Sequence, residues 1–235
     1  MLQIVEGLKV VHSKGVAHRD LKVENILVCY DENGHPQLKL GDFGSATKQH
    51  SIDYESSTKM EIYRFMEVIE GECTHMYRAP EMLDRWQGYN VSGPSTDIWM
   101  LGCVLYVLCT GSKHPFQDAQ NLAILNAQYS MVETGNNLEL LDPISPLKDM
   151  IRAILVPDPN KRLSLDQLQG ILSRLKRGEE VIIALCEEAE EIKKKQLLAI
   201  QRSDPQKYDQ MMDAMVEQSF KSEQKQTPLS LEKIR

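Results

Sequence analysis

From Leu2 to Gly15 the apolar positions recur at helical spacing: Leu2, Val5, Leu8 and then Val11 or His12, with Ile4 beside them. The spacing predicts a helix with one buried stripe, and Gly15 is a natural stop. No Ser, Thr, Asp or Asn stands ahead of the first turn to cap it, so the pattern begins as if inside a helix. The period then shortens. "NILVCY" and "QLKL" are strand-like runs on either side of "DENGHP", and Asn33-Gly34 is a hairpin signal. From Asp42 to about residue 79 the chain is polar and rich in Ser, Thr, Glu and Lys, with one helix-forming stretch, "KMEIYRFMEVIEGE". The longest apolar run, "IWMLGCVLYVLC" (98–109), is too short to span a bilayer and predicts a buried helix over 97–109. Ser95 or Thr96 can cap it, and Gly111 lies just past its end. Shorter helices are expected around 119–128, 145–155 and 164–175, separated by Pro143, Pro146, Pro157 and Pro159. "KRGEEVIIALCEEAEEIKKKQLLAIQ" reads as one charged amphipathic helix and 205–220 as a second, and there is no internal repeat.

Composition narrows the class. A chain of 235 residues fits one large domain, or one domain with an extension. The net charge of −7 argues against a general nucleic-acid or anionic-membrane binder, though not against a local basic patch. The cysteines at 29, 73, 103, 109 and 186 are odd in number and form no CxxC pair. They read as free thiols in a reducing compartment rather than as disulfides or zinc ligands. No basic stretch followed by an apolar block opens the chain, so no signal peptide is expected. Together these features point to a soluble intracellular protein.

Two short motifs carry chemistry: "HRDLKVEN" (18–25) and "GDFG" (41–44). Phosphoryl transfer asks a protein for positioning and charge neutralisation more than for covalent work. Asp20 is placed to accept the proton of an incoming hydroxyl. Lys22 points the same way if the loop is extended, and can steady a moving phosphate. The amide carbonyl of Asn25 and the carboxylate of Asp42 can hold metal, and the hairpin between them sets their separation.

With "APE" (79–81) further on, these motifs in this order resemble the protein-kinase signature set. The resemblance implies a mainly α fold, the helical C-terminal lobe of a kinase with a short β-hairpin at the catalytic loop. It also implies ATP and magnesium (Mg2+) as cofactors, with Asp20 and Lys22 as catalytic residues. Lys22, Asn25, Leu27 and Asp42 would face the nucleotide, Leu27 as the floor under adenine, and Asn25 and Asp42 would be the metal ligands. Glu81 would end the activation segment and pair with Arg162 of "DPNKR". Asp97 would brace the catalytic-loop backbone, and Trp99 would pack under the substrate-binding loop. His18 and Phe43 would stack in an apolar column, with Gly44 closing the DFG turn, so no proton chemistry falls to His18. Lysine after the catalytic aspartate, with Thr74 bonding both, is the serine/threonine pattern.

The finer resemblance is to the numb-associated kinase family, on "HRDLKVENIL", "DFGSAT", "YRAPEM", "DIWMLGCVLYVLC" and "HPFQDAQNLAILNAQYS". This family tends to insert a helix between DFG and APE, which suits the long polar segment. It implies clathrin-adaptor components as partners and a cytoplasmic location, peripheral at endocytic membranes.

The chain also departs from the kinase pattern. It contains no glycine-rich phosphate loop, strand lysine, partnering helix glutamate or adenine-binding hinge, so the small lobe is missing. The expected organisation is a large lobe over 1–176, a charged helical extension over 177–222 and a disordered tail over 223–235. Two readings remain: a serine/threonine kinase of which this chain is the large lobe, inactive alone, or a non-catalytic scaffold presenting a peptide-binding surface. The extension is either a helix packed back on the lobe or solvated, or a coiled coil through Ile182, Cys186, Ala189, Ile192, Leu197 and Ile200. Arg19 either awaits a phosphate on Ser51, Ser56, Ser57 or Thr58, or is served by a segment whose own helix orders it.

Overall fold

A computed structural model describes residues 1–48, 51–84, 88–111, 114–131, 146–210 and 212–213. The described residues are mainly helical, with two small antiparallel sheets. In chain order they form α1 (Leu2–Ser13), β1 (Ile26–Tyr30), β2 (Pro36–Leu40), β3 (Ser51–Ile52), α2 (Lys59–Glu72), α3 (Pro80–Leu83), β4 (Val91–Ser92), α4 (Gly93–Thr110), α5 (Asn121–Leu125), α6 (Pro146–Ile154), α7 (Leu165–Lys176) and α8 (Glu187–Ser203). β1 pairs with β2 from Ile26↔Leu40 to Tyr30↔Pro36, and β3 with β4 through Ser51↔Ser92 and Ile52↔Val91.

The core is built around α4. Trp99, Met100, Leu101, Cys103 and Val104 are all buried, as the all-round apolar pattern requires. Gly102 lets α6 approach closely: a Cβ there would meet Ile154 Cγ2 at 2.6 Å and Leu155 Cδ2 at 2.8 Å. α1 buries Ile4, Val5 and Leu8 on its predicted stripe. It is tied to β2 by Gln3, whose Oε1 accepts from Leu38 N at 2.9 Å, and to α7 by Lys9, 2.6 Å from Asp166. No helix among the described residues is long and apolar enough to cross a membrane, and all five cysteines are free.

The hairpin forms as expected, with its loop at Asp31–His35. The Asp31 carboxylate accepts from Asn33 N and His35 N, both at 2.9 Å, and Gly34 takes the left-handed conformation at φ 78. Other elements differ from their sequence expectation. α4 starts at Gly93 because Pro94 presets a helical φ in the first turn. Neither expected cap serves it: Ser95 Oγ donates to Pro159 O and Thr96 Oγ1 to Gly93 O. Gly111 ends it as anticipated, at φ 60.

The charged tail is not one helix from residue 176. Gly178 at φ 74 terminates α7, Arg174 donates to Glu180 O, and Val181 turns inward and is buried. Helix resumes only at Glu187. The chain divides into two compact units, Met1–Lys193 and Lys194–Arg235. Within the first, Ala189 and Ile192 are buried, Lys161 reaches Glu188 at 2.6 Å and Lys193 reaches Asp149 at 3.0 Å. The second holds the rest of α8 and a helical stretch over 205–210. The tail expected to be disordered, 223–235, lies outside the described residues.

Candidate active site

The site begins with a buried carboxylate. Asp97, inaccessible to solvent near the start of α4, accepts from His18 N (2.7 Å) through Oδ2 and from Arg19 N (2.9 Å) through Oδ1. His12 Nε2 also lies 2.8 Å from Oδ2 and must carry the proton there. This grip holds Arg19 at φ 69, a left-handed conformation that disfavours a non-glycine residue by roughly 1–2 kcal/mol.

Asp20 is next in the chain, and nearly all of its polar capacity is used. Its Oδ1 accepts from the Thr74 hydroxyl at 2.5 Å and from Thr74 N at 3.3 Å. Its Oδ2 lies 2.7 Å from Lys22 Nζ and 3.2 Å from Asn25 Nδ2. Lys22 is extended, as expected, and also donates to Thr74 Oγ1 at 3.0 Å. Burial pushes the Asp20 carboxyl upward, but the hydrogen bonds from Lys22 and Thr74 outweigh it and hold the group below its usual range. Asp20 is therefore a carboxylate at neutral pH, able to accept a proton. Asn25 uses its amide nitrogen on Asp20 O (2.8 Å) and on the Asp20 carboxylate, so its carbonyl oxygen is the atom that could hold a metal.

Asp42 stands apart from this network. It is exposed at φ 53, and its Oδ1 accepts from Gly44 N at 3.1 Å. The link to the loop runs through its neighbours. The rings of Phe43 and His18 lie 4.9 Å apart, and His18 Nε2 donates to Gly41 O at 3.0 Å. His18 Nδ1 is buried without a partner among the described residues. Leu27 sits against Gly41, where a Cβ would come within 2.9 Å of its Cδ1, and is 55% exposed. The hard oxygens of Asn25 and Asp42 suit magnesium, whose remaining positions water and phosphate can fill. Among the described residues no cluster of three or more His, Cys, Asp or Glu forms a separate metal site.

Further out, Glu81 and Arg162 form a two-pronged ion pair at 2.8 and 2.7 Å, with both side chains fully buried. The guanidinium also donates to Ser95 O, Val156 O and Pro157 O, and lies 5.0 Å over the Trp99 ring. Trp99 in turn stacks on Phe116 at 5.5 Å. Arg19 directs its guanidinium to Glu72, at the end of α2, and to Ser45 O. Cys73 between Glu72 and Thr74 is no nucleophile, since burial pushes its thiol up to about 11.

Three contributors are not visible in the sequence. There His12 reads as a member of the apolar stripe, Glu72 as one of many acids on a helix, and Ser45 as part of a motif. Their signals are tertiary. Of the serines and threonines considered as phosphate acceptors, Thr58 instead caps α2 in a capping box with Glu61.

The profile of the protein kinase domain family, described as "Protein kinase domain", matches residues 1–171. The chain belongs to the protein kinase family. Among similar curated proteins, the probable serine/threonine-protein kinase fhkE of Dictyostelium discoideum is 32% identical over 167 residues, covering 71% of this chain and 22% of that protein. Actin-regulating kinase 1 of Saccharomyces cerevisiae is 34% identical over 170 residues, covering 72% of this chain and 24% of its own length. The CBL-interacting serine/threonine-protein kinase 1 of Arabidopsis thaliana is 37% identical over 171 residues, covering 69% and 32%. This kinase chain thus spans less than a third of the length of these relatives.

Proposed function

We propose that this chain is the large-lobe part of a serine/threonine protein kinase and that it carries the acid–base and phosphate-steadying half of the transfer site. The observation that carries this reading is the Asp20–Lys22–Thr74 network, in which one carboxylate is held ionised and aimed by two donors. Asp20 accepts the proton as a substrate serine or threonine hydroxyl attacks, and Lys22 supplies positive charge beside it. Asn25 and Asp42 hold the metal. Bound ATP with magnesium supplies the phosphoryl group and the cationic charge that accompanies it. Glu81, Arg162 and Trp99 keep the peptide platform rigid. Leu27 and Phe43 offer apolar surface towards the nucleotide side.

The narrower membership of the numb-associated group, with clathrin-adaptor substrates at endocytic membranes, rests on the quoted stretches. α2, lying between DFG and APE, supports it.

The test is Asp20→Asn in the full-length gene product carrying these residues, with nucleotide binding measured alongside. Transfer to a serine peptide should fall at least about a hundredfold while nucleotide affinity changes little, because Asn25 and Asp42 remain. A variant retaining more than about a tenth of the wild-type rate would remove Asp20 from this role. A wild-type protein with no transfer at all would favour the scaffold reading.

A further inference from the structure

The family profile ends at residue 171, but the compact unit that holds the site runs on to Lys193. After α7, the carbonyl of Arg174 accepts from Glu179 N at 3.1 Å, and its guanidinium donates to Glu180 O at 2.9 Å. Beyond this turn Val181 is buried and Ile183 packs against the core. α8 then presents one face inward. Ala189 is inaccessible to solvent, and the buried Ile192 joins the apolar cluster that contains Trp99 of α4 and Met150 of α6. Their three-residue spacing puts both on one side of a helix.

Ionic contacts flank these two residues. Glu188, just before Ala189, lies 2.6 Å from Lys161, and Lys193, just after Ile192, lies 3.0 Å from Asp149 of α6. Asp149 also pairs at 2.7 Å with the buried Arg152. Glu188 thus grips the turn before α7, and Lys193 grips the helix that leads into that turn. The turn supplies two of the carbonyls that hold Arg162, those of Val156 and Pro157. Lys161 is the neighbour of Arg162, so one side of the turn faces α8 and the other faces Glu81. Solvent-exposed ion pairs contribute little energy, so they set the register while apolar burial supplies the hold.

We infer that residues 177–193 are a strap belonging to the lobe, which steadies the turn at 156–162 from outside and, through it, the Glu81–Arg162 clamp of the peptide platform. The apolar stripe over 182–200 is then not free to form a coiled coil, because the chain's own core has taken up Ala189 and Ile192. The platform part of the inference rests on the kinase reading above, and the strap itself does not.

The experiment sets Ile192→Glu against Ile182→Glu, the same change in the same segment at a buried and at a 73% exposed position. In the 235-residue chain, Ile192→Glu should lower the thermal midpoint by about 5 °C or more, and Ile182→Glu by no more than about 1 °C. Hydrogen exchange should quicken in Ile192→Glu at the amides of Lys161 and Leu163, which bond Asp158 O and Ala153 O, while the β1–β2 ladder is unchanged. If Ile192→Glu does not fold, Glu188→Gln with Lys193→Gln removes the ionic contacts alone and should give the same exchange pattern with a midpoint about 2 °C lower. In the full-length gene product, whichever of these variants folds should raise the KM for a serine peptide about threefold, with the nucleotide KM within about twofold. Equal midpoints for the two glutamate variants, or faster exchange confined to 187–193, would overturn the strap. An unchanged peptide KM in an active enzyme would overturn its link to the platform. A wild type with no transfer activity would defeat the kinase reading, and the midpoints and exchange would still decide the strap.

Discussion

The two sides of Asp20 are built on opposite principles. On the inner side, Asp97, Glu81 and Arg162 are buried charges, each answered by its own chain through two or more short hydrogen bonds. On the outer side, Asp42 is exposed, Leu27 is 55% exposed and Phe43 47%. The contrast separates what must be rigid before any ligand arrives from what a ligand completes. If Asp20 accepts the proton, as proposed, its direction must be fixed in advance, and internal, dry supports suit that. On the proposed kinase reading, Asp42, Leu27 and Phe43 would gain their partners from the bound nucleotide and metal, so nothing in the chain needs to cover them.

The largest test of this contrast is Arg162→Ala. It would leave the Glu81 carboxylate buried and unpaired, and three backbone carbonyls without their donor. Breaking such a pair costs about 3–5 kcal/mol, read as a lowered urea midpoint with an unchanged slope. A loss under about 1 kcal/mol would mean that the inner side is not held by its buried charges.

Acid should erode the same side more gradually. The His114 ring meets Tyr77 edge-on at 4.2 Å between centroids, its Nδ1 accepts from Phe116 N, and burial pulls it from 6.5 down to about 4. Its folded value lies below its unfolded one, so the unfolded chain takes up the proton first as pH falls. The stability present above pH 6.5 is therefore lost between 6.5 and about 4. The thermal midpoint should decline across that window, and His114→Phe should flatten the decline. Identical pH slopes in the two proteins would remove His114 from the account.

The smallest effect is expected on the outer side. Leu27→Ala and Phe43→Ala should change the unfolding free energy of the chain by no more than about 0.5 kcal/mol, as for other exposed positions. Losses above about 2 kcal/mol in the same melts would show that this face is packed in solution and would erase the distinction.

The parts of the fold that are legible in the sequence are those governed by local rules. α1 announces itself by its apolar period, α2 and α7 by helix-forming stretches, and Gly111 by its place just past a helix end. The start of α4 is not legible because Gly93-Pro94 reads as a breaker, while in three dimensions that proline seeds the first turn. The tail misleads because Gly178 and the inward turn of Val181 outweigh a helical period that looks continuous. At the site, the motif residues Asp20, Lys22, Asn25, Thr74 and Asp97 stand out by type and order; the structure gathers the first four into one network, while Asp97 holds the backbone of His18 and Arg19 just before Asp20. His12 and Glu72 stay hidden, since a histidine in a stripe and an acid on a helix acquire meaning only through the elements that fold against them.

The spacing at the end of α2 also sets a phase. Ile69 is fully buried and anchors the last turn, while Glu72 and Thr74 meet successive residues of the loop. Each residue added to a helix rotates the downstream chain by about 100° and advances it about 1.5 Å. One insertion between Ile69 and Glu72 would therefore swing the carboxylate away from Arg19 and shift the hydroxyl off Asp20 at once. Extra residues before Thr58 would leave both in place. Length variation in this segment should thus be tolerated ahead of the helix and excluded behind it, with α2 acting as the vernier that brings two distant stretches of chain into step.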